Sequence, residues 1–482
     1  MVDDALTLDP KDWETTRKLG HQMIDDMIDY LKGQRSRKIW KPLPENVLAS
    51  FQKPVPHSGS PLDSIYQEFT DNILNYAMGN PHPSFWGWVI SNGTPTGMLA
   101  EMLAAAMNSN LGGGTHSASF VEGQVVEWLK EMFMFPPESS GLLVSGGTMA
   151  NLIGLAVARN TKIPNARKEG MKRIYRMYCS TETHSSVQKS VELMGMGSDA
   201  LRFIRVDENL RIDIPELEKA IEKDIANGLV PICIIGTTGT TNTGSVDDLP
   251  TLAKLAKKYN TWFHVDGAFG ALTHLTPDFK YLADGIELAD SLAFDLHKWM
   301  YLPYGIGAVL VKDKDAHLNA FSLTPPYLEH GTRGVAGGNT WWSDYGIELS
   351  RDFKALKVWM GIKEHGIEHI GKVIQKNIEQ AQYLESLVKQ ENSLEVVAPV
   401  PMNIVCFRYV CDLPNEKLNA INQEILILLH ERGLAVPSYT TLNGKYAIRT
   451  CITNYRTEKL DLEKLVRDVV EIGNELKPRF SD

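Results

Sequence analysis

Residues 289–313, ADSLAFDLHKWMYLPYGIGAVLVKD, set one lysine between two apolar strand-like runs. Positions 291–294 and 305–311 read as buried strands, so the turn Asp295-Leu296-His297-Lys298-Trp299 is pinned at both ends. A lysine hemmed by Trp299, Met300 and Tyr301 is a candidate for a lowered pKa, and such an amine can condense with a carbonyl. Taken alone, the stretch fits a solvated lysine at a strand end equally well.

Other chemistry-bearing residues stand at similar joints. Ser145-Gly146-Gly147-Thr148 follows a strand-like run and opens a helical pattern, which brings bare backbone N–H groups and a hydroxyl to one point. That is a cradle for a phosphate, although glycines at helix starts often serve only the turn. It lacks the lysine of a Walker loop and the full GxGxxG spacing, so nucleotide binding is disfavoured. His184, in Thr181-Glu182-Thr183-His184, stands where a helix begins and reads as a cap or as a functional imidazole. Gly236-Thr237-Thr238-Gly239-Thr240-Thr241 adds hydroxyls at another strand end, or is a threonine-rich turn. Asp266 closes the buried run Trp262-Phe263-His264-Val265-Asp266, where it needs a cationic partner unless it caps the loop that follows. A phosphate cradle, a histidine facing a π system, a buried carboxylate and an imine-forming lysine are together what pyridoxal phosphate requires of a protein.

The elements that must position these residues are legible in the same text. Between about 141 and 311, short apolar runs alternate with helical ones, the signature of an α/β domain with a mostly parallel sheet flanked by helices. Ligands of such sheets bind beyond the carboxyl ends of the strands, which is where every residue named above falls. Ahead of it, helical patterns at 11–32 and 61–78 are joined by a Pro-rich strap that must lie on the rest of the protein or on a second subunit. Behind it, helices at 367–391, 415–432 and 458–476 and strands near 394–397, 403–409 and 445–450 read as a small α+β domain. The expected division is 1–85, a helical strap; 86–360, the large α/β domain; and 361–482, the small domain. Phe85, Trp86 and Trp88 crowd a loop between Pro and Gly breakers, where they pack or line a pocket.

Composition narrows the function. With 482 residues, 43% hydrophobic and 22% charged, the chain belongs with ordinary globular proteins of two or three packed units. Lys+Arg 49 against Asp+Glu 59 gives a net charge of -10, spread without long blocks of one sign. That argues against nucleic-acid or anionic-membrane partners and for a small ligand. Five scattered cysteines without a CxxC pair give neither a disulfide framework nor a zinc site, so no metal is expected. The acidic start MVDDALTLDPKDWE is unlike a signal or transit peptide, and no apolar run approaches the ~18 residues that span a bilayer. A cytoplasmic location is expected.

SGGTMAN, THSSV, HVDGAFG and FDLHKW, in this order and at these separations, resemble the group II pyridoxal-phosphate decarboxylases, most nearly the aromatic L-amino-acid decarboxylases. The resemblance runs from about residue 10 to the end. It implies fold type I and a tight homodimer with active sites shared at the interface. By motif it makes Lys298 the Schiff-base lysine, His297 a phosphate contact, Asp266 the partner of the pyridine nitrogen, Ala268 the residue beneath the ring and His184 the residue stacked above it. Gly147, Thr148 and Met149 match the phosphate loop, and Thr241 a further hydroxyl contact. Tyr327 matches the tyrosine of a mobile loop that reaches the partner's site and protonates the substrate carbon, with Phe there in aldehyde-forming relatives. Trp86, Trp88 and Ser350 match the substrate pocket. The implied reaction is decarboxylation of Trp, Tyr, Phe or a hydroxylated relative to the arylalkylamine and CO2, dependent on pyridoxal 5'-phosphate. An aromatic aldehyde synthase, or a decarboxylase of a non-aromatic amino acid, is the alternative.

Overall fold

A computed structural model describes residues 6–323, 333–338 and 340–481. Two sheets organise them. In chain order the strands are β1 Phe85–Trp86, β2 Ser140–Val144, β3 Tyr175–Ser180, β4 Leu201–Ile204, β5 Val230–Thr237, β6 Trp262–Asp266, β7 Ser291–Asp295, β8 Gly307–Val311, β9 Leu394–Val396, β10 Ile404–Tyr409, β11 Val436–Leu442 and β12 Lys445–Cys451. The larger sheet has the order β2-β8-β7-β6-β5-β3-β4. Its strands are apolar almost throughout because helices cover both faces, as in parallel sheets generally. Alternation still decides which face each residue serves. Leu143 and Leu310 join one core, while Leu142, Val144, Val309 and Val311 join the core on the other side.

β8 is antiparallel to both of its neighbours, β2 and β7. The link 296–306 between β7 and β8 holds only a one-turn helix, too little for the crossover that a parallel return needs. This reversal matters for the site. Its register lines up Val144, Gly307 and Asp295 across three strands, so the residues after β2 lie beside those after β7.

The smaller sheet has the order β1-β11-β12-β10-β9 and packs its own core, which includes Phe407, Ile448, Leu465 and Val469. β11 is absent from the sequence expectation although its signal was in plain view. Asn443 and Gly444, at φ 50° and 77°, form the two-residue reversal that favours Asn-Gly between paired strands. β1 pairs parallel with β11, so the segment around 85 is tied to the far end of the chain. The amino-terminal helix Trp13–Lys32 buries no residue fully on this chain. Among the described residues, no helix is long and apolar enough to cross a membrane.

Candidate active site

The carboxyl ends of β2, β3, β6 and β7 share one edge of the larger sheet, and a cleft of about 400 Å³ opens there. Gly147, Thr148, Met149, His184, Asp266, Ala268, His297 and Lys298 all line it. They are brought together from joints as far apart in the sequence as Gly147 and Lys298 by strand order alone.

One end of the cleft is the start of the helix Gly147–Lys162. Gly146 offers no side-chain cap there; Gly147 N–H donates to Asp295, and the N–H groups of Thr148 and Met149 are left for an outside acceptor. A Cβ on Gly147 would lie 2.7 Å from Asp295 Oδ2, so only glycine fits this approach. His297 stands beside it with a buried Nδ1 that has no hydrogen-bond partner among the described residues. The remaining N–H groups of the helix start, the exposed Thr148 hydroxyl and an unsatisfied imidazole nitrogen suit a phosphate.

At the other end lies Asp266, 2% exposed at the end of β6. Burial raises its carboxyl pKa above the usual carboxylate range, with Lys298 and His184 opposing. Ala268 N–H donates to Oδ1 and Asn151 Nδ2 to Oδ2, both at 3.1 Å, which holds both oxygens as acceptors. A cationic ring nitrogen would complete this environment. His184 caps the helix Ser185–Leu193, its Nδ1 accepting from Ser186 N–H at 3.2 Å, and it lines the cleft as well. The two readings of that histidine are therefore compatible. Burial lowers its pKa, so it faces the cleft as a neutral imidazole at neutral pH.

Lys298 Nζ lies 2.8 Å from Asp295 Oδ2, and Asp295 also accepts from Gly147 N–H. The aromatic neighbours do not hem the amine as the sequence suggested. Trp299 and Tyr301 point into the core, where both donate to Asn377 Oδ1. Asp295 was passed over in the sequence, although it ends the strand one helical turn before the lysine.

Four expected residues are not assembled with these. Trp86 is a core residue of the smaller sheet, 1% exposed, and its indole N–H donates to Thr457 Oγ1 at 3.1 Å; this corrects its assignment to the substrate pocket. Trp88 is 53% exposed and Ser350 is exposed, and neither lines the cleft of the single chain. Thr241 also lies off the cleft wall; Arg449 on β12 donates to its carbonyl and to that of Trp88. Val89, Ile90 and Tyr304 form the wall instead. Tyr327 lies outside the described residues.

Residues 44–410 match the family described as the pyridoxal-dependent decarboxylase conserved domain. The chain is 32% identical to the aromatic-L-amino-acid decarboxylase of Bacillus atrophaeus, over 96% of either chain. It is 30% identical to the phenylacetaldehyde synthase of Arabidopsis thaliana, over 97% of either. The crystal structure of Oryza sativa TDC with PLP and tryptamine matches with a TM-score of 0.90 at 23% identity, covering 98% of this chain and 100% of that one, a likeness of fold. With its fold type I architecture and with Lys298, Asp266 and the glycine turn lining one cleft, the chain belongs to the pyridoxal-dependent decarboxylase family.

Proposed function

We propose that the protein removes the carboxylate of an aromatic L-amino acid, Trp, Tyr, Phe or a hydroxylated relative, and releases the arylalkylamine and CO2. The observation that carries this reading is the single cleft holding Lys298, Asp266, His184 and the glycine cradle. When bound, pyridoxal 5'-phosphate supplies an aldehyde for condensation with an amine and a ring that withdraws electrons from the adjacent carbon. The protein supplies position and charge. Gly147, Thr148, Met149 and His297 would hold the phosphate, with Ala268 lining the cleft beneath the ring. Asp266 keeps the ring nitrogen protonated. Lys298 is the amine that would hold the cofactor's aldehyde carbon. His184, neutral and on the cleft wall, and Tyr327 are the groups that would return a proton to the substrate carbon.

An aromatic substrate is favoured by the similarity to the Bacillus enzyme and by the apolar wall of Val89 and Ile90 with the Tyr304 ring. Trp88 and Ser350 remain pocket residues in this reading only if a second copy closes the site. A homodimer is supported by apolar side chains left exposed on the helices Pro95–Met107 and Ser117–Met132, namely Met102, Leu103, Met107 and Phe120. Trp13 and Ile28 on the amino-terminal helix add to that surface. A cytoplasmic location is supported by five unpaired cysteines. The division at 1–85, 86–360 and 361–482 is proposed with one qualification drawn from β1, whose pairing ties 85–86 to the smaller sheet.

Incubation with a panel of amino acids tests the reaction. Amine and CO2 should appear in equal amounts from an aromatic substrate, without peroxide or ammonia. Aldehyde, peroxide and ammonia would instead select the second reading, an aldehyde synthase, which the Arabidopsis relative favours. Tyr327→Phe should keep the cofactor and lose amine formation; unchanged amine output would remove Tyr327 from proton delivery.

A further inference from the structure

Behind Asp266 runs a line of buried hydrogen bonds that the chemistry above leaves unexplained. Trp262 Nε1 lies 2.8 Å from Ser291 Oγ, and Ser291 Oγ 2.8 Å from His264 Nδ1. His264 Nε2 lies 2.8 Å from Asn151 Oδ1. Asn151 Nδ2 then reaches two atoms at 3.1 Å, Asp266 Oδ2 and Ser186 Oγ. Ser186 Oγ stands 2.9 Å from His184 Nδ1. The line thus joins the carboxylate at one end of the cleft to the imidazole on its wall, through a residue that sequence reasoning did not single out.

Each link has one direction. An indole N–H only donates, so Ser291 Oγ accepts from Trp262; a hydroxyl can accept twice, so the direction of the Ser291–His264 link is set from the Asp266 end of the line. Asn151 Nδ2 donates to the Asp266 carboxylate, so its Oδ1 accepts, and His264 carries its proton on Nε2, donates it to Asn151 Oδ1 and takes the Ser291 hydroxyl proton on Nδ1. The carboxylate fixes the amide, because the flipped orientation would set a carbonyl oxygen against it. One amide hydrogen goes to Asp266 and the other to Ser186 Oγ, which leaves the Ser186 hydroxyl proton for His184 Nδ1. The near end agrees independently. The backbone N–H of Ser186, also donor-only, points at the same His184 Nδ1 from 3.2 Å. Burial drives the His264 pKa down to about 3, which keeps that ring neutral and the order of donors intact.

We propose that Asn151 is a positioning residue that sets the polarity of this line, holding Asp266 as a hydrogen-bond acceptor and, through Ser186, His184 as the tautomer with its proton on Nε2. His184 Nε2 has no partner among the described residues, so its proton is offered to whatever occupies the cleft. The same amide favours the ionised form of Asp266, which the cofactor's ring nitrogen needs. That last consequence rests on the reaction proposed above, whereas the placement of protons does not.

Neutron diffraction from crystals of the full chain, with and without cofactor, reads the protons directly. A deuteron on Nε2 of both His184 and His264 is the expected result; one on Nδ1 of His184 overturns the proposal whatever the reaction proves to be. Two variants separate the arms of the line. Asn151→Leu, near in volume, removes the donor to Asp266 and should weaken cofactor binding roughly ten- to a hundred-fold, the loss of a hydrogen bond to a charged group. It should also move the acid limb of cofactor affinity to higher pH, because Asp266 then protonates more readily. Lys298 and His184 are the charged or titratable groups facing Asp266, with Ala268 N–H as its other donor, and both variants leave them in place. Ser186→Ala cuts only the arm to His184 and should change affinity by no more than about twofold, with the acid limb unmoved. Equal affinities and coincident acid limbs for wild type and Asn151→Leu would overturn the role assigned to Asn151. Should that variant fail to fold, the wild-type proton positions still decide.

Discussion

Asp295 shows how a single residue can stand between a site and its ligand. Its carboxylate takes Gly147 N–H at the helix start and the Lys298 ammonium at 2.8 Å, so it occupies the cradle that a phosphate would enter. A buried carboxylate and an incoming phosphate repel, at a cost that low local polarity enlarges. Asp295→Asn keeps an acceptor for Gly147 N–H and removes the charge. It should therefore bind inorganic phosphate about tenfold more tightly in an equilibrium titration of the cofactor-free protein. Weaker binding would mean that the charge serves the cradle rather than opposing it. Lys298→Ala, by contrast, should bind the cofactor without the imine absorbance of the parent. An imine band surviving in that variant would place the linkage on another lysine.

At the scale of elements, the helix Gly147–Lys162 does two things at once, offering its start to the cleft and crossing the larger sheet closely enough for Asn151 to reach His264. Gly154 permits that approach, since a Cβ there would fall 2.7 Å from His264 Cε1 and 3.2 Å from Ser291 Oγ. Gly154→Ala should lower stability by about 1–3 kcal/mol, the usual range for overpacking, measured by urea denaturation. Because the same helix presents its start to the cleft, cofactor affinity should fall in the same variant. A fully stable Gly154→Ala with normal affinity would show that the contact relaxes without moving the helix.

For the whole molecule, buried neutral histidines set the response to acid. His264 and His317 are pushed down to about 3, and His82 to about 4, by burial. A histidine whose pKa is lower folded than unfolded stabilises the fold fully above about 6.5, and that contribution is lost as pH falls toward the folded value. Asp247, raised to about 6 by burial, has the opposite sign: it favours the fold below about 3.8 and loses that contribution as pH rises to about 6. His184, His274, His297 and His430 are lowered in the same sense, and Glu122, Asp266, Asp290 and Asp468 are raised like Asp247. The seven histidines outnumber the five carboxylates, which predicts net loss of stability below pH ~6. His317→Gln, which can still hydrogen-bond near Ser140 Oγ and the Tyr345 carbonyl, should flatten that acid limb in denaturation curves taken between pH 7 and 4. An unchanged slope would mean that the proton uptake lies elsewhere.

The sequence by itself determined the alternation that builds the larger sheet and, with it, the joints where ligand-binding residues must fall. Strand ends announce themselves locally, by an apolar run closing on Asp266 or on the glycines before Thr148, and neighbouring parallel strands bring their ends to one edge whatever lies between. The convergence of Gly147, His184, Asp266 and Lys298 on one cleft was legible for that reason. What the tertiary structure alone decided is pairing. Nothing local to Asn151 announces a bond to Asp266, 115 positions away, and nothing in DLHKW indicates that its aspartate would meet Gly147, 148 positions before it. Trp86 and Trp88 illustrate the same limit, since one enters a core and the other faces outward according to the pairing of β1 with β11. Chain order fixes which residues end a strand. Only the packed sheets fix which of those ends become hydrogen-bond partners, because that depends on register and on side chains meeting across elements distant in sequence.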